Sequence, residues 1–380
     1  MNQCTHPALR TVLGAYALLL ISTHAGHAAP PALAEQFENT LATTAPVQRK
    51  KLITGQIGMG LIPRNYNATV EGWLEVLKIA KHLGVHVLQM PSGYWREDEP
   101  IKHAYQWDAT KRLMDALDLL GSEFDLSQDI GGPFFHDRNM APDYLQPIAL
   151  TNPVFTRAYI DYLESYMQRF GSRVTRLLIH AEGSYSYFTR YPTHLAAYGK
   201  LLNDVRRTLK RKWPQLRVGV NIDPHNKPEV LATIAKHVDF VGFDIVQIDG
   251  VLESPTDLDA LIQSVLAHTS GKPVTLAAGW SSAPGLGGGD RAQHDFYREV
   301  FKVLRKYRDR VEYVAVGPPF DEDPAVVGPA YRAQFSHLPK DYVANILEWA
   351  TNLGLIRIDG TAKPAFNELL RLIKNYYRAH

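Results

Sequence analysis

Eight short apolar runs alternate with helix-patterned stretches along most of this chain, and this alternation constrains the fold more than any other feature. Residues 53–62 (ITGQIGMGLI) form the first run, and residues 85–90 (VHVLQM) the second. The third covers 123–130, and the fourth lies in the stretch 176–188 (RLLIHAEGSYSYF). Residues 217–222, 240–246, 274–280 and 311–316 supply the remaining four. Between them lie patterns of helical period. Trp73, Leu77 and Ala80 fall on one face, and Gly84 ends that pattern. Further helices are expected at 110–120, 153–170, around 195–212, and near 227–237, 256–269, 291–308, 340–352 and 364–377. Strands separated by crossover helices pair in parallel. Eight such units with no break in composition predict the α/β class and a single (β/α)8 TIM barrel.

The first 50 residues stand outside that alternation. Arg10 precedes an apolar run at 12–21 (VLGAYALLLI), followed by the small-residue stretch AGHAAP. This is the pattern of a secretory signal, expected over residues 1–29 with cleavage near Ala28 or Ala29. The run is too short to span a bilayer, and no other segment is longer and as apolar. Residues 30–50 are a polar, Ala/Pro-rich leader to a domain at 51–380. The expected location is the periplasm or the medium. The single cysteine, Cys4, precedes the apolar run, so the processed chain has no disulfide and no thiol nucleophile. A formal net charge of +2 gives no argument for a nucleic-acid partner. The basic run at 206–212 is read as the solvated face of a barrel helix.

In a parallel barrel the chemistry sits at the C-terminal ends of the strands. Strand two opens into Ser92, Tyr94 and Trp95; strand three delivers Asp129, then Phe134, Phe135 and His136. Strand four delivers His180 and Glu182, with Tyr185, Tyr187 and Phe188 just beyond. Strand five ends in Asn221, Asp223 and His225; strand six carries Asp244, Gln247 and Asp249. Strand seven ends in Trp280, Ser281 and Ser282, and strand eight leads to Phe320, Asp321 and Asp323. Carboxylates among aromatic rings suit a sugar cleft, because rings stack on the apolar faces of pyranoses while Asp and Asn bind hydroxyls. Cleavage of a glycosidic bond needs one carboxyl as acid and a second as nucleophile or base.

Three segments carry a resemblance. VTRLLIHAEGSYSYF, KPVTLAAGWSS followed by a glycine-rich loop and QHDFYREVF, and GLIRIDGTAKPAFNELL resemble parts of the TIM-barrel glycoside hydrolases of the large retaining clan. That clan places an acid/base Glu after strand four and a nucleophile Glu on strand seven. The resemblance covers roughly residues 50–376 and implies that Glu182 is the acid/base. The chain departs from the pattern at two points. Ala181 stands where the clan has Asn, and the nucleophile position falls on Ala277. A retaining reaction needs two carboxyls ~5–5.5 Å apart, and strand seven supplies none. Three alternatives follow. The enzyme inverts, with Asp244 preferred over Asp223 or Asp129 as base at ~6.5–9.5 Å; or a loop carboxylate, Asp321 or Asp323, substitutes; or the barrel is a pseudoenzyme that binds glycans without cutting them.

The expected site is therefore Glu182 and Asp244 as catalytic groups, with Trp95, Tyr94, Asp129, His180, Tyr185, Asp223 and Trp280 binding a carbohydrate substrate. No cofactor is expected. No metal is expected either, since Gln56 and Gly58 occupy the region where metal-dependent barrels carry a His-x-His pair. The glycine-rich stretch 285–290 lacks the Lys-Ser/Thr of a phosphate loop and is read as a lid beside the cleft. No Gly-x-Ser-x-Gly elbow surrounds Ser184.

Overall fold

The structure, a computed structural model, describes residues 54–378 apart from 92–93, 122–123, 136–137, 147, 182, 247–253, 287 and 337–338. The expected signal segment, the leader, His136, Glu182, Gln247 and Asp249 lie outside the described residues. Eight parallel strands close into a barrel: β1 (Gln56–Gly60), β2 (Val87–Met90), β3 (Asp125–Ile130), β4 (Val174–Ala181), β5 (Arg217–Ile222), β6 (Phe240–Val246), β7 (Val274–Gly279) and β8 (Val311–Val316). Each strand neighbours its successor in sequence, and β1 closes on β8. The strands are buried on both faces, as parallel strands flanked by helices must be.

Contacts gather the described residues into two units: those of Met90–Trp107 with Asp125–Ala277, and those up to Gln89 with Asp108–Phe124 and Ala278–His380. In the first, β4 pairs with β3 and β5, and β5 with β6. Helices α2 (Trp95–Asp98) and α4 (Pro153–Phe170) build an aromatic core there. Trp95 packs edge-on to Phe155 at 5.4 Å and against Tyr159 at 4.8 Å, and Trp107 meets Tyr166 at 5.5 Å. Asn152 caps α4, its side chain accepting from Val154 N, with Pro153 at the first helical position where no amide is needed.

In the second unit β1 pairs with β2 and β8. A Cβ on Gly58 would meet Val87 Cβ at 3.1 Å and Tyr313 at 3.4 Å, so glycine gives these two side chains room to pack. Helix α1 (Val70–Leu83) begins at Thr69, whose side chain accepts from Gly72 N, and stops at Gly84, whose φ of 75° is left-handed. The last helix, α12 (Pro364–Arg378), buries Ala365, Phe366, Leu369, Leu372, Ile373 and Tyr376, one stripe at helical period. That stripe packs on α9 (Gly289–Lys306), with Phe301 edge-on to Tyr376 at 5.9 Å.

Three helices lie outside the stretches of helical period: α2, α5 (Ser184–Arg190) and α10 (Pro324–Gln334). Among the described residues no helix is long and apolar enough to cross a membrane.

Candidate active site

Alternation along the strands selects what faces the barrel interior. Gly242 of β6 marks that face: a Cβ there would lie 3.1 Å from Leu178 Cδ1, 3.2 Å from Asn221 Oδ1 and 3.0 Å from Thr275 Oγ1. His180, two residues beyond Leu178, and Asp244, two beyond Gly242, therefore point inward with Asn221. His180 and Asn221 are register partners on β4 and β5. Asn221 Nδ2 lies 2.9 Å from His180 Nε2 and donates to Asp244 Oδ2 at 2.9 Å. His180 Nε2 and Asp244 Oδ2 are 3.9 Å apart. On β3, Gln128 turns outward to accept from Tyr166 of α4, which leaves Asp129 on the inward face.

Electrostatics follow from this packing. Burial lowers the His180 pKa to about 4, so the ring is neutral at physiological pH. The amide nitrogen of Asn221 offers hydrogens, so Nε2 accepts and the ring proton sits on Nδ1. Burial raises Asp244 to about 7; the Asn221 bond pulls the other way, and the charge of Asp223 pushes further up. Asp244 keeps 19 % of its side chain exposed, so it is open to a ligand while largely desolvated. Asn221 Oδ1 is buried and accepts no hydrogen bond among the described residues.

Asp223 holds the segment that follows Glu182. Its Oδ2 accepts from Ser184 Oγ at 3.1 Å and from the backbone N–H of Tyr185 at 2.8 Å. Asn226 Nδ2 donates to the same Ser184 Oγ at 2.8 Å. A carboxylate at a helix N-terminus satisfies amides that the helix cannot. Gly183, with φ 72°, makes the left-handed turn into α5. The geometry thus gives Asp223 an anchoring role beside the expected substrate-binding one.

The aromatic residues fall into two sets. Tyr185 remains half-exposed, with its backbone N–H held by Asp223. Tyr187 stacks on Phe134 at 4.0 Å, Phe188 packs edge-on to Phe134, and both are buried. Trp95 is 0 % exposed and its indole N–H donates to Glu99 at 2.9 Å, so neither ring face is open to stack on a sugar. Tyr94 is likewise buried. Trp280, 2 % exposed, packs on Phe296 at 5.1 Å. The platform role expected for Trp95 and Trp280 does not match these core positions, where apolar ring area is more favourably buried than left open. His225 is exposed. Ala277 lies within β7 and offers only a methyl group.

In the second unit the expected loop carboxylate Asp321 is taken up by an internal ion pair. Lys363 Nζ donates to Asp321 Oδ1 at 2.6 Å, to Ser282 Oγ at 2.8 Å and to Asn352 O at 3.0 Å. Asp323 caps α10, its Oδ1 accepting from Ala325 N at 2.8 Å. Glu322, between them, is a buried acid that the sequence reading passed over.

No family model matches the sequence, and no curated protein does. Solved structures match it in three dimensions. An exo-beta-1,4-mannosidase from Opitutaceae bacterium strain TAV5 superposes with a TM-score of 0.60 at 14 % identity, over 85 % of this chain and 60 % of that one. The chain therefore spans less than two thirds of that protein. GH5_18 from Streptomyces cattleya, in complex with GlcNAc, gives 0.64 at 13 % identity, over 86 % and 82 % of the two chains. Xylanase 10B from Thermotoga maritima gives 0.57 at 11 % identity, over 86 % and 96 %. At such identities the shared property is architecture, and the chain is a (β/α)8 barrel of the kind on which glycoside hydrolases of several families are built.

Proposed function

We propose that the protein is an exported glycoside hydrolase acting on a poly- or oligosaccharide, with Glu182 as general acid and Asp244 as the second carboxylate. The observation that carries the reading is the His180–Asn221–Asp244 network at the ends of β4, β5 and β6, on a barrel shared with glycoside hydrolases. A group held near pKa 7 is well matched to proton transfer at neutral pH. Asp244 would take the proton from a water attacking the anomeric carbon. Glu182 would protonate the departing oxygen. Neutral His180 and Asp129 would bind hydroxyls, and Tyr185 would offer its ring. Because Ala277 cannot form a glycosyl ester, the reaction proposed is a single displacement with inversion. The pattern over residues 1–29 supports export to the periplasm or the medium.

The test is reducing-sugar release from a panel of bacterial and plant polysaccharides, with wild type beside Glu182→Gln and Asp244→Asn. Release by wild type that drops by about 10²-fold or more in each variant is expected, with the inverted anomer seen by NMR. Full activity in both variants would remove these residues from the chemistry. Ala277 favours a second reading, a barrel that binds glycans without cutting them. Glycan binding with no release by any of the three proteins would establish it.

A further inference from the structure

At the end of β8 a carboxyl and a guanidinium are buried near one another without meeting. Glu322 is 3 % exposed, and neither of its oxygens makes a hydrogen bond of ordinary geometry. The backbone N–H of Asn65 turns toward it, and Arg64 bears on it electrostatically, but Glu322 and Arg64 form no ion pair among the described residues. Arg64 is otherwise occupied. Its Nη1 donates to Ile358 O at 3.0 Å, its Nη2 to Glu75 Oε1 at 3.1 Å, and its plane lies 4.1 Å from the Phe320 ring. The remaining Nε–H is buried and has no partner. Buried polar groups are nearly always bonded, so the unpartnered Arg64 Nε–H and the Glu322 carboxyl, met only by the Asn65 N–H, mark the place of something else.

The loop around the pair is held ready. Asn65 and Tyr66, consecutive and neither glycine, have φ of 50° and 56°, the left-handed region that such residues rarely enter. Asn65 Oδ1 accepts from Asp323 N at 2.8 Å, and the Tyr66 hydroxyl lies 3.1 Å from that of Tyr331. Asn65 and Tyr66 are half-exposed, so the loop is open to solvent on one side.

We propose that Glu322 and Arg64 form a hydroxyl-binding subsite for a neutral carbohydrate at the C-terminal ends of β8 and β1, an assignment that rests on the glycan reading above. A hydroxyl both accepts and donates, so one group answers Arg64 Nε–H and a Glu322 oxygen together. A cation is opposed by Arg64, and a charged ligand of either sign would have to shed its water to reach so buried a place, which favours an uncharged polyol. Burial pushes Glu322 up to about 8, so near neutrality the acid is mostly protonated and offers a donor as well as an acceptor to a second, adjacent hydroxyl.

The experiment is titration calorimetry at neutral pH with mannotetraose, xylotetraose, laminaritetraose and chitotetraose. Wild type is compared with Glu322→Ala and Glu322→Gln, the amide reproducing the donor and acceptor of the neutral acid. Expected is binding of at least one sugar by wild type, a loss of about tenfold or more in the alanine variant, and substantial retention in the glutamine variant. Equal affinity in all three would remove Glu322 from the site while leaving the glycan reading intact. Binding of no sugar by wild type would overturn both. Wild-type crystals soaked in the bound tetrasaccharide give a readout without mutation. A sugar hydroxyl between Glu322 and Arg64 supports the subsite, and an ordered water there with sugar bound elsewhere refutes it.

Discussion

Asn221 donates to Asp244 Oδ2 at 2.9 Å from a nitrogen that also serves His180. The single amide therefore sets the proton position on the imidazole and draws down the pKa of the acid. Replacing Asn221 with Ala removes both bonds and leaves two buried acceptors. The Asp244 pKa then moves above about 7, and stability falls by about 1–3 kcal/mol. Carboxyl-detected NMR titration checks the first expectation, and urea unfolding the second. If Asp244 must be ionised to act, the acidic limb of the rate profile moves to higher pH in the same variant.

Lys363 and Asp321 are an ion pair cut off from water, with Ser282 and the Asn352 carbonyl completing the ammonium's bonds. Lys363→Met strands a buried carboxylate, at a cost of about 3–5 kcal/mol. The double variant Lys363→Met, Asp321→Asn recovers much of that loss, because no buried charge is left alone. Chemical denaturation of the two single variants and the double closes the cycle.

Stability should decline as pH rises above neutrality. Burial holds Asp98 and Asp244 at about 7 and Glu322 at about 8, all above their unfolded values near 4. An acid with a raised folded pKa contributes fully below its unfolded pKa, and that contribution is lost as pH climbs through the folded one. His180 works in the opposite sense. With its pKa lowered to about 4 from 6.5, it destabilises only as pH falls below 6.5. Between pH of about 6.5 and about 8.5 the carboxyls therefore act alone among these groups, and Tm drops across that window. Glu322→Gln flattens the slope, and thermal scans at constant ionic strength measure it.

The barrel was legible because its strands are apolar on both faces and its helices on one. β5, β6 and β8 begin and end where their apolar runs do. β1 is shorter than its run, confined to Gln56–Gly60. Helices α2 and α5 span barely one or two turns, too few for a period to register, and α10 carries Pro329 inside it, which masks a helical pattern. The site was legible only as a set of residue types at strand ends. Sequence marks Trp95 as an aromatic after a strand but not which way it turns, and it turns into the core. Asn221 stood in the roster without a role, since a linking amide is defined by what it touches. Glu322 was hidden between two aspartates, and only burial separates it from them.

A single methyl group added at Gly242 tests the network. Its neighbours come from three other strands, Leu178 on β4, Asn221 on β5 and Thr275 on β7, all within 3.0–3.2 Å of where a Cβ would stand. These distances are shorter than ordinary contact, and the atoms are side-chain termini in a packed interior that yields only by moving. Asn221 has the most to lose, because both its donors are already committed. Gly242→Ala is thus expected to destabilise by about 1–3 kcal/mol through overpacking. It should also raise the Asp244 pKa, as Asn221→Ala does, by lengthening the same bond. An alanine control at Gly271, where a Cβ meets nothing within 4 Å but φ is +75°, separates backbone strain from crowding. A variant at Gly242 that loses stability while leaving the Asp244 titration unmoved would show that Asn221 does not set that pKa. A coupled change in both would show that it does.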